Sequence, residues 1–502
     1  MTRLLLLLSG LFVATIAATP APNAAVPPAP PMTPAASGDA VTHHTITLGG
    51  KPVAYTARAG VITLRDDHEA PTATMFYTAY TLDGGGPNRP ITFFYNGGPG
   101  SASMWLHMGS FSPVRVVTAN GSPTGPPPYR IVPNDHTLLD VTDMVFIDMP
   151  DTGFGRITAP GKTFFGLDAD VNAFAQFITR YVTAFSRWNS PRFLYGESYG
   201  TTRSAVLVDR LARSGMTFNG VVLQSTILNF GLDDLTGAEE SGFPLYLPSE
   251  AATAWYHHAL PGSWLSLDAL VSEVESFALG EYSDALAKGD TIPASEFNDV
   301  AAKLHRYTGL PEEYIRLANL RVPYWQFENV LFRNQGEIVG RLDSRFETGT
   351  LDRYQTFPHW DPTDAAIDGA FTTAINQYLR DDLGYQTPLL YKTSAGPDIR
   401  AAGGWDFKHH GNQQPDVTPD LAEAMTYNPS LKIFSANGYY DFATPFFETV
   451  FNLHHLGIDP SLQSNVTYGF YQSGHMIYLE PGALAQLHDD LARWYASALG
   501  GR

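Results

Sequence analysis

Ser198 stands in Gly196-Glu197-Ser198-Tyr199-Gly200, behind the apolar run Arg192 to Tyr195 and ahead of a helix-like segment from Thr201. A serine between glycines at a sharp strand-to-helix turn has the form of a nucleophile elbow, which lifts the hydroxyl above the sheet edge. An ordinary strand–turn–helix corner has the same residues, so the pentapeptide needs partners. A serine hydroxyl is inert without a base, and the base needs an orienting group. On elbow-bearing sheets these follow in the chain order acid, then histidine. Two late segments qualify. Lys432 to Asn437 reads as a strand that runs into Gly438-Tyr439-Tyr440-Asp441-Phe442, and Val466 to Tyr471 reads as the next strand, followed by Gln472-Ser473-Gly474-His475-Met476. An acid and a histidine just past the C-terminal ends of such strands face the same rim as the elbow. Asp441 and His475 are therefore the expected partners of Ser198.

Acyl chemistry at this serine also needs two backbone N–H groups for the developing oxyanion. One belongs to the residue after the nucleophile, Tyr199. The other belongs to a loop after an earlier strand; Ile91 to Tyr95 is that strand, and Asn96-Gly97-Gly98-Pro99-Gly100 is that loop.

The elements that must position these residues are legible as short apolar runs: Ile91 to Tyr95, Met144 to Asp148, Arg192 to Tyr195, Gly220 to Gln224, Lys432 to Ser435 and Val466 to Tyr471. Helical spacing of apolar residues fills Asp168 to Trp188, with Asp168 as the expected N-cap, and Thr201 to Ala212. Strands alternating with helices imply an α/β fold on a largely parallel sheet. Ile46 to Leu48 and Lys51 to Ala57 suggest an early hairpin turned at Gly49-Gly50. Between about 229 and 386 the alternation stops, and helical patches such as Leu265 to Leu279 and Phe297 to Tyr307 suggest an inserted, mainly helical lid. The expected division is a signal peptide over 1–18, a Pro/Ala-rich linker over 19–40, a core over 41–228, the lid over 229–386 and the rest of the core over 387–502.

Bulk properties restrict the partners. The 502 residues carry a net charge of −19, with 16% charged residues and 44% apolar ones. So acidic a body repels nucleic acid and anionic lipid, and neither is an expected partner. Arg3, the apolar run Leu4 to Val13 and the small residues up to Ala18 read as a secretory leader. Export to the periplasm or the cell exterior follows, with no membrane association once the leader is removed. The chain has no cysteine, which excludes disulfides, thiol nucleophiles and cysteine-ligated metals. No His-Glu-x-x-His occurs, and the pairs His409-His410 and His454-His455 read as pointing in different directions without metal-ligand spacing. No metal and no cofactor are expected. Oligomeric state is not encoded in any motif.

The stretches FFYNGGPGSAS, VFIDMPDTGFG, YGESYG, GYYDFATP and SGHMIY resemble the serine carboxypeptidase family, over about residues 90 to 230 and 430 to 490. WLHMGSF, the leader and the lack of cysteine are similar to its bacterial branch. The resemblance implies an α/β-hydrolase fold, peptide substrates, Ser198 as nucleophile, His475 as general base and acid, and Asp441 as its orienter. It implies Gly98 and Tyr199 N–H as the oxyanion hole. It also implies that Asn96, Gly97 and Glu197 bind the substrate's C-terminal carboxylate, which requires Glu197 to be protonated because an ionised carboxylate cannot donate. Better-known members add a Trp two residues before the loop Asn and a Glu in the following helix; here Phe94 and Ser110 stand at those positions. A serine esterase or acyltransferase would use the same acyl-enzyme. A non-catalytic protein on this scaffold would be expected to lack one of the three residues, and all three are present.

Overall fold

The computed structural model describes residues 38–161, 163–232, 235 and 240–500. The expected leader and nearly all of the Pro/Ala tract lie outside the described residues.

The central sheet has ten strands. Nine of them lie on one continuous path: β1 (Ala40–Leu48), β2 (Lys51–Arg65), β3 (Pro71–Leu82), β4 (Ile91–Tyr95), β5 (Asp143–Ile147), β6 (Arg192–Ser198), β7 (Gly220–Thr226), β8 (Lys432–Gly438) and β9 (Val466–Tyr471). Their spatial order is β1-β2-β3-β5-β4-β6-β7-β8-β9, and the two-residue strand Arg156–Ile157 pairs with β3. β1, β2 and β3 form an antiparallel flank, joined antiparallel to β5. From β5 to β9 every pairing is parallel. The expected hairpin is present, with Leu48 opposite Lys51 across Gly49-Gly50.

β4 and β5 are buried at every position, because a parallel sheet must be covered on both faces. The pleat divides each strand between two cores. Phe94, Phe146, Tyr195 and Val222 face one apolar cluster, which holds Ala366, Ile367, Leu487 and Leu491 from the helices Pro362–Gln377 and Pro481–Ala498. Phe93, Val145, Leu194 and Val221 face the other, with helices α1 (Leu167–Ala184) and α2 (Tyr199–Arg213). α1 begins one residue earlier than the sequence suggests. Gly166 is its N-cap, and Asp168 lies inside the first turn because its carboxylate pairs with His409 instead of capping the helix.

A third apolar cluster lies among the helices Gly242–Tyr256, Leu267–Phe277 and Ala294–Thr308. It continues into Tyr440, Phe442, Phe446 and Phe447, on either side of Asp441. Among the described residues no helix is long and apolar enough to cross a membrane.

Candidate active site

Ser198 is the last residue of β6 and the N-cap of α2, with φ 61° and ψ −135°. A non-glycine residue pays for a positive φ in steric strain, and such strain persists only where the surroundings enforce it. Here Gly196 enforces it. A Cβ at that position would lie 2.3 Å from the Gly200 carbonyl oxygen, so only glycine allows the turn to close this tightly. Ser198 is half-buried, while Glu197 and Tyr199 on either side are buried.

The loop after β4 meets the elbow directly. A Cβ on Gly97 would stand 2.5 Å from the Tyr199 backbone nitrogen, so the two backbones are in contact where the paired N–H donors are expected. Gly98, at φ 105°, turns the loop beside this contact. The loop is anchored from below. The Ser103 hydroxyl accepts from Asn96 N–H at 3.2 Å and donates to the Ile147 carbonyl, while Ser103 N–H donates to Asp148 at 2.7 Å. The Asn96 carbonyl accepts from Arg203 at 2.9 Å, and Arg203 forms a fully buried ion pair with Asp170 at 2.6 Å. Removing one partner of such a pair typically costs about 3–5 kcal/mol, so the loop rests on a rigid base.

Asp441 lies just past β8 and is fully buried. Its Oδ1 accepts from Ala443 N–H at 2.7 Å and Thr444 N–H at 3.0 Å, and its Oδ2 accepts from the Thr444 hydroxyl at 2.8 Å. The same Oδ2 lies 2.8 Å from His475 Nδ1. Burial works against charging His475. The Asp441 carboxylate, its hydrogen bond and the nearby Glu197 outweigh that effect and hold the imidazole above its ordinary value. The main chain of His475 is gripped as well. Its N–H donates to the Leu342 carbonyl at 2.7 Å, and its carbonyl accepts from the Ser225 hydroxyl at 2.6 Å.

Glu197 is buried, with Oε1 accepting from Asn96 Nδ2 at 2.6 Å and Oε2 accepting from Gln224 Nε2 at 2.9 Å. Burial pushes its carboxyl up to about 7, with Asp441 adding to the rise; His475, Tyr478 and Asn96 oppose it. The Tyr478 hydroxyl is buried and turned towards Glu197 and Asn96 without closing a hydrogen bond of ordinary geometry. Its ring lies over Gly109, where a Cβ would stand 2.6 Å from it. Phe94 instead stacks between Phe146 and Tyr195 at 4.8 and 4.9 Å, and Ser110 donates to the Leu106 carbonyl at 2.5 Å. Neither brings a polar group to Glu197.

The fold thus brings Asn96, Gly97, Glu197 and Tyr199 into one place and pairs Asp441 with His475. Gln224, Ser225 and Tyr478 are neighbours that the sequence reading did not single out. Gln224 and Ser225 were hidden in an apolar strand. Tyr478, three residues past His475, was the more accessible signal.

One expectation needs correction. His409 and His410 do not diverge: their ring centroids are 4.0 Å apart and both face Asp420. His410 and Gly411 both have positive φ, at 48° and 88°, and form the central pair of a two-residue turn closed by hydrogen bonds between His409 and Asn412. His454 and His455 remain separate, on Tyr468 and on the Phe451 carbonyl.

Residues 50–239 match the family model described as serine carboxypeptidase. No curated protein sequence is significantly similar to the chain. Among solved structures, Kex1(delta)p, a prohormone-processing carboxypeptidase from Saccharomyces cerevisiae, is similar at 16% identity and a TM-score of 0.53. The match covers 88% of this chain and 91% of that one. A proline iminopeptidase of Mycobacterium smegmatis is similar at 13% identity and a TM-score of 0.38, over 88% and all of the respective chains. The mostly parallel sheet with helices on both faces is an α/β-hydrolase fold. Residues 50–239 thus carry the similarity to the serine carboxypeptidase family.

Proposed function

We propose that the protein is an exported serine carboxypeptidase that removes C-terminal residues from peptides. The observation that carries the reading is the environment of Glu197. It is a buried carboxyl directly before the elbow serine, bonded to the loop Asn96 and shifted to about 7. A group of this kind holds a proton under mildly acidic conditions, and only then can it donate to another carboxylate.

In the proposed reaction the peptide's terminal carboxylate accepts from the Glu197 hydroxyl, the Asn96 amide and Gly97 N–H. Ser198 Oγ attacks the last peptide carbonyl while His475 Nε2 takes the hydroxyl proton. The Asp441 carboxylate holds Nδ1–H and stabilises the imidazolium. Gly98 and Tyr199 N–H receive the oxyanion, at the N-terminus of α2 where the helix dipole adds to their effect. The C–N bond breaks as His475 returns the proton to the leaving amine. Water then repeats the sequence on the acyl-enzyme. Glu197 and His475 raise and lower each other's proton affinity, so the pair titrates as a unit. An arriving carboxylate favours the proton on Glu197 and leaves His475 neutral, ready to act as base.

The helices between 229 and 386 act as a lid in this reading. A cavity of about 270 Å³ opens beside Leu342, the acceptor of His475 N–H. It is lined by Tyr324, Trp325, Glu328, Arg341, Asp361 and Asp364 among others. We assign it to a substrate side chain. The leader read over residues 1–18 supports export to the periplasm or exterior.

The test is kcat/KM across pH for one blocked dipeptide with a free C-terminus and for its amide, with Ser198→Ala as the blank. Preference for the free acid that fades as pH rises supports the reading. Equal cleavage at all pH values would move a serine esterase or acyltransferase ahead of it.

A further inference from the structure

We propose that His409, His410 and Asp420 form a binding site for a divalent ion of the zinc class, with Asp168 orienting His409. His409 is buried between two carboxylates: Asp168 Oδ1 lies 2.8 Å from its Nδ1, and both Asp420 oxygens lie 3.2 Å from its Nε2. A neutral imidazole has only one N–H, so one of these carboxylates faces a lone pair unless a cation intervenes. The distances differ in kind. The contact to Asp168 is that of a charge-assisted hydrogen bond, whereas those to Asp420 are longer than such bonds.

The longer distances fit a shared cation. Metal bonds of about 2.0–2.1 Å in a tetrahedron set neighbouring ligand atoms about 3.3–3.4 Å apart. His409 Nε2 lies 3.2 Å from Asp420, and His410 Nε2 lies 3.4 Å from Asp420 Oδ1. One ligand atom from each of the three residues lies within 4.8 Å of the others. Nδ1–H of His409, donating to Asp168, would fix the tautomer that turns the Nε2 lone pair to the metal, the usual carboxylate–histidine–metal arrangement. Two imidazoles and one carboxylate suit a borderline ion such as Zn²⁺ and disfavour Ca²⁺ or Mg²⁺, which take oxygen ligands. His410 is largely exposed, which leaves a fourth position to water.

The site joins three parts of the chain: the start of α1, the turn 409–412 and the helix Thr418–Tyr427. Trp405 and Phe407, just before the turn, pack edge-on against the Tyr199 ring at 5.4 and 6.4 Å. An ion here would hold that loop against the residue following Ser198.

Full-length mature protein, stripped with a chelator, would be titrated with ZnCl₂ by calorimetry and with CoCl₂ by visible absorption. The expected result is one equivalent bound, a tetrahedral Co²⁺ spectrum and a Zn²⁺-dependent rise in Tm. His410→Ala should weaken binding more than tenfold and abolish the Tm rise. Asp168→Asn, which touches no metal, should weaken it by a smaller factor. Circular dichroism and phosphonylation of Ser198 would verify that each variant is folded. Absence of saturable binding, or stoichiometric binding undiminished in folded His410→Ala, would overturn the proposal. In that case His409 serves only to tie Asp168 to Asp420.

Discussion

The Gln224 side-chain amide donates to the Glu197 carboxyl at 2.9 Å and lies 3.2 Å from the His475 carbonyl. One planar group thus spans the proposed carboxylate receptor and the proposed general base. It is itself fixed by Tyr195, whose hydroxyl donates to Gln224 Oε1 at 2.6 Å. The position follows from strand register, since Gln224 pairs with Glu197 and Thr226 with Ser198 across a bulge between β6 and β7. Proton affinity at Glu197 is therefore coupled to the placement of His475.

Glu197→Gln should remove the pH dependence of C-terminal selectivity. In the parent protein the ratio of kcat/KM for free acid over amide should fall as pH rises through about 7, where Glu197 loses its proton. A glutamine keeps donors at every pH, so its ratio should be flat. A parent ratio that does not change between mildly acidic and alkaline pH would sink the receptor role.

Tyr478→Phe should raise KM for the free-acid dipeptide about fivefold, the equivalent of one net hydrogen bond of about 1 kcal/mol. Neither kcat nor the amide substrate should change. A drop in kcat on both substrates would mean that the tyrosine supports His475 rather than the carboxylate.

Ser198→Ala should leave no acyl-enzyme and no labelling by a phosphonylating reagent. Asp441→Asn should keep the labelling site but lower kcat by about 10⁴, since the imidazole then loses its orienting carboxylate. Burst kinetics on an activated ester would separate the two.

Gly97→Ala places a methyl group 2.5 Å from the Tyr199 nitrogen. Separation of the two N–H donors should lower kcat by about 10²–10³ with little change in KM. An unchanged kcat in a folded variant would show that the contact does not align the donors.

Stability should decline from mildly acidic to alkaline pH. Burial raises Glu197, Asp148 and Asp364 to about 7 and Glu250 to about 8. The folded state therefore holds more protons than the unfolded one above the ordinary carboxyl range. The stability that these groups contribute is whole below about pH 4 and is lost as pH rises through 7 to 8, at up to about 1.4 kcal/mol per pH unit per group. Urea midpoints at pH 5.5 and 8.0 would measure it; a higher midpoint at pH 8.0 contradicts the assignment.

Much of the fold and the site's outline could be read in one dimension, because the signals are local. The run RFLYGES needs only its neighbours to end as a strand in a tight turn, and Gly196 beside Ser198 encodes that turn. The chain order of Ser198, Asp441 and His475 follows from residues placed just beyond strand ends. What depends on register and on long-range packing had no such signal. Gln224 became a partner of Glu197 only when β6 and β7 aligned, and Tyr478 only when its ring settled over Gly109. Asp168 read as a helix cap because its neighbours suggest one; its partner His409 is 241 positions away.

The sequence alone determined the chemistry available at the rim, since residue type and turn geometry are local properties. Only the tertiary structure decided how that chemistry is tuned. Burial sets the proton affinity of Glu197, and burial arises from the packing of distant segments around it.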